Sequence, residues 1–404
     1  MMSMNEMPAA ERVHISFFGC RNAGKSSLVN AITGQAVSVV SEVKGTTTDP
    51  VSKTMELLPL GPVVITDTPG FDDAGGLGSL RVERTRQILR RTDLAVLVAD
   101  STAGLQETDR ELLRLFGERN IPFLVAMNKQ DLCRTVPEDD RTVAVSALTG
   151  EGVRELKERM ARLLPGRAAE KRLIADLVRP ADCVVLVCPI DESAPKGRLI
   201  LPQQHAIRDL LEAGALPLVT RETELPDALS ALSSPPRMVV TDSQAFRAVA
   251  PRVPEEIPLT SFSILMARYR GFLETAVRGV AALRSLRDGS RVLMAEGCTH
   301  HRQCNDIGTV KIPRWLREHT GHAIEIDTCS GPDFPEDLSP YDAIIHCGGC
   351  MITEKEVQAR REMAEAQGVP FTNYGLVIAH ITGVLERSLR LFPEIHALLG
   401  EGSE

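Results

Sequence analysis

Short apolar runs alternate along this chain with longer stretches in which apolar positions recur every three or four residues. The first pattern reads as buried strands and the second as amphipathic helices. Strands are expected at residues 13–18, 63–66, 123–127 and 142–145, with helices at 26–33 and 152–164 between or after them. A Pro-Gly-Arg break at 165–167 closes this series, and a linker helix is expected over 168–177. A second series follows, with strands at 182–188, 216–220 and 238–241 and helices at 203–213 and 262–282. A third has strands at 291–296 and 341–345 and a helix at 354–367. Strands alternating with helices predict α/β architecture with mostly parallel sheets. The chain divides into units 1–167, 168–285 and 286–404, a parallel-sheet nucleotide-binding unit followed by two further α/β units.

The first strand runs into Gly19-Cys20-Arg21-Asn22-Ala23-Gly24-Lys25-Ser26, a G-x-x-x-x-G-K-[ST] octet opening a helix. In that strand-turn-helix context backbone N–H groups wrap phosphates and the helix N-terminus adds partial positive charge. Lys25 reaches the outer phosphates, Ser26 ligates Mg²⁺, and Ser27 follows in the same turn. Asp67-Thr68-Pro69-Gly70 ends another apolar run. It sets a carboxylate on the Mg²⁺ side and a glycine near the γ-phosphate. Asn128-Lys129-Gln130-Asp131 follows a third run, and the Asp131 carboxylate accepts from guanine where adenine would leave it unpaired. Ser146-Ala147-Leu148 sits where a backbone N–H meets the guanine carbonyl. These ordered motifs imply a GTP- and Mg²⁺-binding unit.

With those residues in view, the front resembles the TrmE-Era-like GTPases of the translation-factor class. That resemblance implies a switch threonine binding Mg²⁺, matched by Thr47 in Gly45-Thr46-Thr47-Thr48-Asp49; the arginine that the pattern carries before the aspartate is absent. Asn22 matches the asparagine that holds a monovalent cation in potassium-dependent members, which implies K⁺ beside the phosphates. Phe71 stands where Ras-like proteins place a water-orienting glutamine, so slow hydrolysis with Lys25, Thr47, Asp67 and Gly70 as the catalytic set is expected.

Charge and composition narrow the rest. A formal charge of −8 argues against a nucleic-acid binder that relies on a broad basic surface. No apolar run approaches the ~20 residues of a membrane span. Residues 1–11 lack a secretory signal pattern, so a cytoplasmic protein is expected. The 9 cysteines are then read as metal or redox chemistry, or as buried thiols such as Cys183 and Cys188, and not as disulfides.

Two clusters stand out. Gly297-Cys298-Thr299-His300 follows one rear strand and His346-Cys347-Gly348-Gly349-Cys350 follows another. In a parallel sheet both emerge at the carboxyl edge, where they can meet. Thr353 and Glu356 have capping-box spacing for the helix behind them. Three thiolates and two histidines suit zinc or an iron–sulfur cluster, and Cys304 and Cys329 are spare thiols.

Over the whole chain this order of parts resembles the FeFe-hydrogenase maturation GTPase family, including Pro195-Lys196-Gly197-Arg198-Leu199-Ile200-Leu201-Pro202-Gln203 and Ile312-Pro313-Arg314-Trp315-Leu316. The resemblance implies a 4Fe-4S cluster on Cys298, Cys347 and Cys350, with His300 and His346 as the matching histidines. It implies a diiron precursor as cargo, delivered to apo FeFe-hydrogenase, with two radical-SAM maturases and a second copy of the chain as partners. The alternative is a translation- or RNA-modification-type GTPase with a structural zinc domain.

Overall fold

The computed structural model describes residues 12–34, 51–70, 85–133, 139–164, 171–190, 199–297, 306–331, 333–350 and 352–401. The chain divides into two compact units, Met1–Glu170 and Lys171–Glu404.

The first unit is built on six strands: β1 (Val13–Phe18), β2 (Val51–Leu57), β3 (Gly61–Asp67), β4 (Leu94–Asp100), β5 (Phe123–Asn128) and β6 (Thr142–Ala144), in the order β2-β3-β1-β4-β5-β6. Only β2 runs antiparallel to its neighbour. β1 and β4 are buried nearly throughout, as expected of apolar strands covered on both faces. One side packs the helices Lys25–Thr33 and Val153–Leu163 through Leu28, Ile32, Leu156 and Met160; the other packs Glu107–Glu118 through Leu112 and Phe116.

The second unit holds two four-stranded parallel sheets over one continuous apolar core. The first has β7 (Cys183–Val187), β8 (Leu216–Thr220), β9 (Met238–Thr241) and β10 (Leu259–Ser261), ordered β10-β9-β7-β8. The second has β11 (Arg291–Glu296), β12 (Glu325–Ser330), β13 (Ala343–His346) and β14 (Phe371–Asn373), ordered β12-β11-β13-β14. Both follow one plan: the first strand lies between the second and third, and the fourth lies beyond the third. The register agrees, Val184 opposite Met238 in one and Val292 opposite Ala343 in the other.

The likeness reaches single residues. Ser261 caps the helix Phe262–Tyr269 and Asn373 caps Tyr374–Ile381. Thr260, Ala267, Gly271, Leu273, Glu274 and Arg278 repeat at one constant spacing as Thr372, Ala379, Gly383, Leu385, Glu386 and Arg390. The unit is an internal repeat that the strand-and-helix pattern alone did not disclose.

Two expected helices are corrected. Residues 262–282 form two helices, Phe262–Tyr269 and Leu273–Ala281, because Gly271 takes a φ of 75° that ends the first. Of the linker helix, 168–170 lie outside the described residues, and the remainder is irregular but for a 3₁₀ turn at Ala175–Leu177. The buried Asp209 carboxylate accepts the N–H groups of Ile174 and Ala175, both at 2.8 Å, and pins the start of that turn. Among the described residues no helix is long and apolar enough to cross a membrane.

Candidate functional site

In the first unit β1 delivers the chain into Gly19, whose φ of 139° and closeness to the Val98 carbonyl (an added Cβ would lie 2.1 Å from its oxygen) exclude any side chain. Gly24, at φ 87°, is excluded too, since a Cβ would meet Asn128 Nδ2 at 2.3 Å. Asn22 is exposed at φ 62°, a left-handed conformation that asparagine tolerates. Lys25 Nζ donates to the Gly19 and Cys20 carbonyls, both at 2.8 Å. Burial lowers its pKa to about 8, against the opposing pull of Asp67.

Ser26 Oγ donates to Asp67 Oδ2 at 2.6 Å, while Asp67 Oδ1 is buried without a hydrogen-bond partner among the described residues. A carboxylate so placed beside a hydroxyl is a fitting seat for Mg²⁺. Gly70 approaches the loop closely, an added Cβ falling 3.0 Å from Arg21 Cα. Thr47 and Phe71 lie outside the described residues.

The base-reading residues converge. Asn128 is buried and double-ended: Nδ2 donates to the Ala23 carbonyl at 2.9 Å and Oδ1 accepts from the Ala147 N–H at 3.0 Å. It ties the phosphate loop to the Ser146-Ala147 turn. Asp131 accepts from Ser146 Oγ at 2.6 Å and remains exposed. Lys129, at φ 68°, pairs with Asp100 at 2.6 Å. Ser27 is half-buried in the first turn of the helix. A contact not foreseen joins Cys20 Sγ to the buried Asp109 carboxylate at 3.4 Å, fastening the loop to the start of helix Glu107–Glu118.

In the second unit the strand order reverses between β11 and β13, the crevice where open α/β sheets bind ligands. The Cys347 N–H donates to the Ala295 carbonyl at 2.8 Å, and its Sγ accepts from the N–H of Gly297 at 3.1 Å and of Gly349 at 3.4 Å. Gly297, the first residue of the earlier sequence cluster, thus meets the later one at this edge. Cys298 and His300 themselves lie outside the described residues. Among the described residues no group of three metal-binding side chains is assembled.

Burial raises the Cys347 pKa, that of Cys350 to about 11 and that of Cys329, at the end of the neighbouring β12, to about 11. Metal-free, these are thiols. Two soft sulfur donors, one already receiving two backbone N–H groups, fit a thiolate-bound metal or cluster. A cluster bound there would offer Lewis-acidic iron and one-electron chemistry. The Thr353 hydroxyl caps the helix Glu354–Ala366 by accepting the Glu356 N–H at 3.2 Å. Glu356 does not complete the capping box; it pairs with Arg360 at 3.0 Å.

His346 leads directly into Cys347 at the end of β13. It is wholly buried, its Nδ1 lies 2.7 Å from the Cys347 carbonyl and its Nε2 lies 3.2 Å from Arg360, so both ring nitrogens are engaged. Burial and the neighbouring guanidinium push its pKa down to about 3. Sequence reasoning also passed over three buried polar groups here: Glu296, within 3.5 Å of the Tyr374 hydroxyl, and the guanidiniums of Arg270 and Arg360. Charged residues within or at the ends of otherwise apolar strands and helices are the signal that would have found them.

Residues 14–129 match the family model for the 50S ribosome-binding GTPase domain. Residues 173–271 match the hydrogen maturase F dimerization domain and 274–391 its tetramerization domain. The chain belongs to the hydrogen maturase F family. Its front is a GTPase domain, and its rear repeat is this family's dimerization domain followed by its tetramerization domain. The tRNA modification GTPase MnmE of Roseiflexus sp. (strain RS-1) is 36% identical over 192 residues, 41% of this chain and 41% of that protein. The protein of the same description from Nitratidesulfovibrio vulgaris (strain DP4) is 38% identical over 141 residues, 33% of this chain and 30% of that protein. The chain thus spans less than half the length of these curated relatives. Among solved structures, the G domain of the T. maritima FeoB iron transporter is 27% identical with a TM-score of 0.30, covering 38% of this chain and 99% of that one.

Proposed function

We propose that this chain is a GTP-hydrolysing scaffold that binds an iron–sulfur cluster through Cys298, Cys347 and Cys350, receives a diiron precursor and passes it to apo FeFe-hydrogenase. The observation that carries the reading is the meeting of Gly297 with Cys347 Sγ at the crevice edge, inside a domain matched by the hydrogen maturase F model. In the first unit Gly19, Asn22, Ala23, Gly24, Lys25, Ser26 and Ser27 hold the phosphates, Ser26, Thr47 and Asp67 hold Mg²⁺, and Asn128, Lys129, Asp131, Ser146 and Ala147 hold guanine. The γ-phosphate and Mg²⁺ order the switch segments and hydrolysis releases them, which biases contacts with partners. Those partners are the two radical-SAM maturases, the hydrogenase and a second copy of the chain.

Anaerobic reconstitution tests the reading: iron and acid-labile sulfide should be retained, and the loaded protein should activate apo-hydrogenase. A colourless protein holding one zinc would instead support the RNA-modification-type alternative. The two sites should separate. Lys25→Ala should abolish GTP hydrolysis and keep the cluster, and Cys347→Ser should do the reverse. If Asn22 holds K⁺, replacing sodium by potassium should raise GTP turnover severalfold, and equal rates would remove that assignment.

A further inference from the structure

Arg360, in the second turn of helix Glu354–Ala366, is only 1% exposed. Its Nε donates to Glu356 Oε1 at 3.1 Å, one terminal nitrogen lies 3.2 Å from His346 Nε2, the other donates to the Gly331 carbonyl, and the Phe334 ring lies 5.0 Å away. A guanidinium has no lone pair to offer, so at the shared contact His346 Nε2 must be the acceptor. The ring proton is then on Nδ1, where it donates to the Cys347 carbonyl at 2.7 Å. A neutral imidazole has one in-plane lone pair, and here Arg360 uses it.

We propose that Arg360 is a positioning residue of the cysteine site: it fixes His346 as the Nδ1–H tautomer, so that His346 holds Cys347 in place and is withheld from the metal. This rests on the metal reading above. It deepens that reading by giving His346 a backbone-organising role and leaving the remaining iron coordination to a group other than His346. Cys347 is then gripped through both of its backbone polar groups, its N–H by Ala295 and its carbonyl by His346, with Sγ accepting the Gly297 N–H.

The test uses the full chain with histidine isotopically labelled, reconstituted anaerobically with iron and sulfide. The unaltered chain is compared with His346→Gln, Arg360→Lys, Arg360→Met and the double variant Glu356→Gln/Arg360→Met. The double variant removes the ion pair whole, should the single methionine fail to fold. Iron and sulfide per chain, thermal unfolding and histidine-nitrogen couplings in pulsed EPR of the reduced cluster are read together. Whatever cluster His346→Gln binds should keep the nitrogen couplings of the unaltered chain. Arg360→Lys, which still donates to Nε2, should match it as well. Either methionine variant, while folded, should gain a histidine coupling or lose iron severalfold.

A coupling present in the unaltered chain and lost in His346→Gln would overturn the proposal, as would a folded methionine variant indistinguishable from the unaltered chain. Failure of the unaltered chain to take up iron at all would overturn the metal reading itself, and metal analysis separates that failure from the others.

Discussion

Lys25 sits in the phosphate loop with its ammonium buried and its pKa lowered to about 8. A bound triphosphate favours the charged form, so the bound pKa is higher than the free one. Near neutral pH both states carry the proton. At about pH 9 the free lysine is mostly neutral and the bound one charged, so GTP binding there should take up close to one proton. Calorimetry in buffers of different ionisation enthalpy measures this directly, and Lys25→Ala should show no buffer dependence. Gly24 sets a second residue-scale expectation. Its φ of 87° and the 2.3 Å approach of a Cβ to Asn128 Nδ2 mean that Gly24→Ala displaces a side chain joining the phosphate loop to the base-reading turn. Nucleotide affinity, read by fluorescent-GDP titration, should fall by an order of magnitude or more, about 1.4 kcal/mol per tenfold.

At the scale of elements, the most legible parts were those whose residues agree at every level. β1, β8, β9 and β11 have the expected bounds or fall within a residue of them, because their apolar runs end at polar or glycine positions. The expected single helix over 262–282 failed because its apolar periodicity continues across Gly271, and periodicity does not register a left-handed φ. The internal repeat escaped because its two copies agree only at scattered positions such as Thr260 and Thr372; comparing the chain with itself would have shown it. The contact of His346 with Arg360 was not legible because sequence adjacency to Cys347 is blind to a side chain arriving from a separate helix. The cysteines of the proposed metal site occur in one half of the repeat only. Asp242 stands after β9 where Cys347 stands after β13, and Ile190 occupies the place of Cys298, so the front copy has no thiolate at either position. Packing between the copies is tight enough to test. Gly279 in helix Leu273–Ala281 rests on the backbone of β14, where a Cβ would meet the Phe371 carbonyl oxygen at 2.2 Å. Backbone cannot rotate away as a side chain can, so Gly279→Ala should cost about 1–3 kcal/mol in urea unfolding.

For the whole molecule, the exposed edge at β8 bears on self-association. β8 is an edge strand, and Leu216 (58% exposed), Val219 (43%) and the nearby Leu211 (57%) stand in solvent. An open edge ordinarily offers a ladder of N–H and C=O groups to another strand. Here the ladder is incomplete. The Leu216 N–H and Thr220 carbonyl face inward to the Asp182 carbonyl and Cys188 N–H, so by alternation residues 217 and 219 face outward, and Pro217 has no N–H to give. A second copy docking on this edge must therefore draw on apolar side-chain burial more than on backbone pairing, at about 25 cal/mol per Å². A charge introduced at those side chains should disrupt it, whereas an interface carried by a backbone ladder would tolerate one. Leu216→Lys with Val219→Lys should shift the chain to a smaller species in sedimentation velocity while GTP hydrolysis, housed in the other unit, continues at the unaltered rate. If the double variant sediments as the unaltered chain does, the dimerization domain associates through another face, and the exposure of this edge needs a different partner.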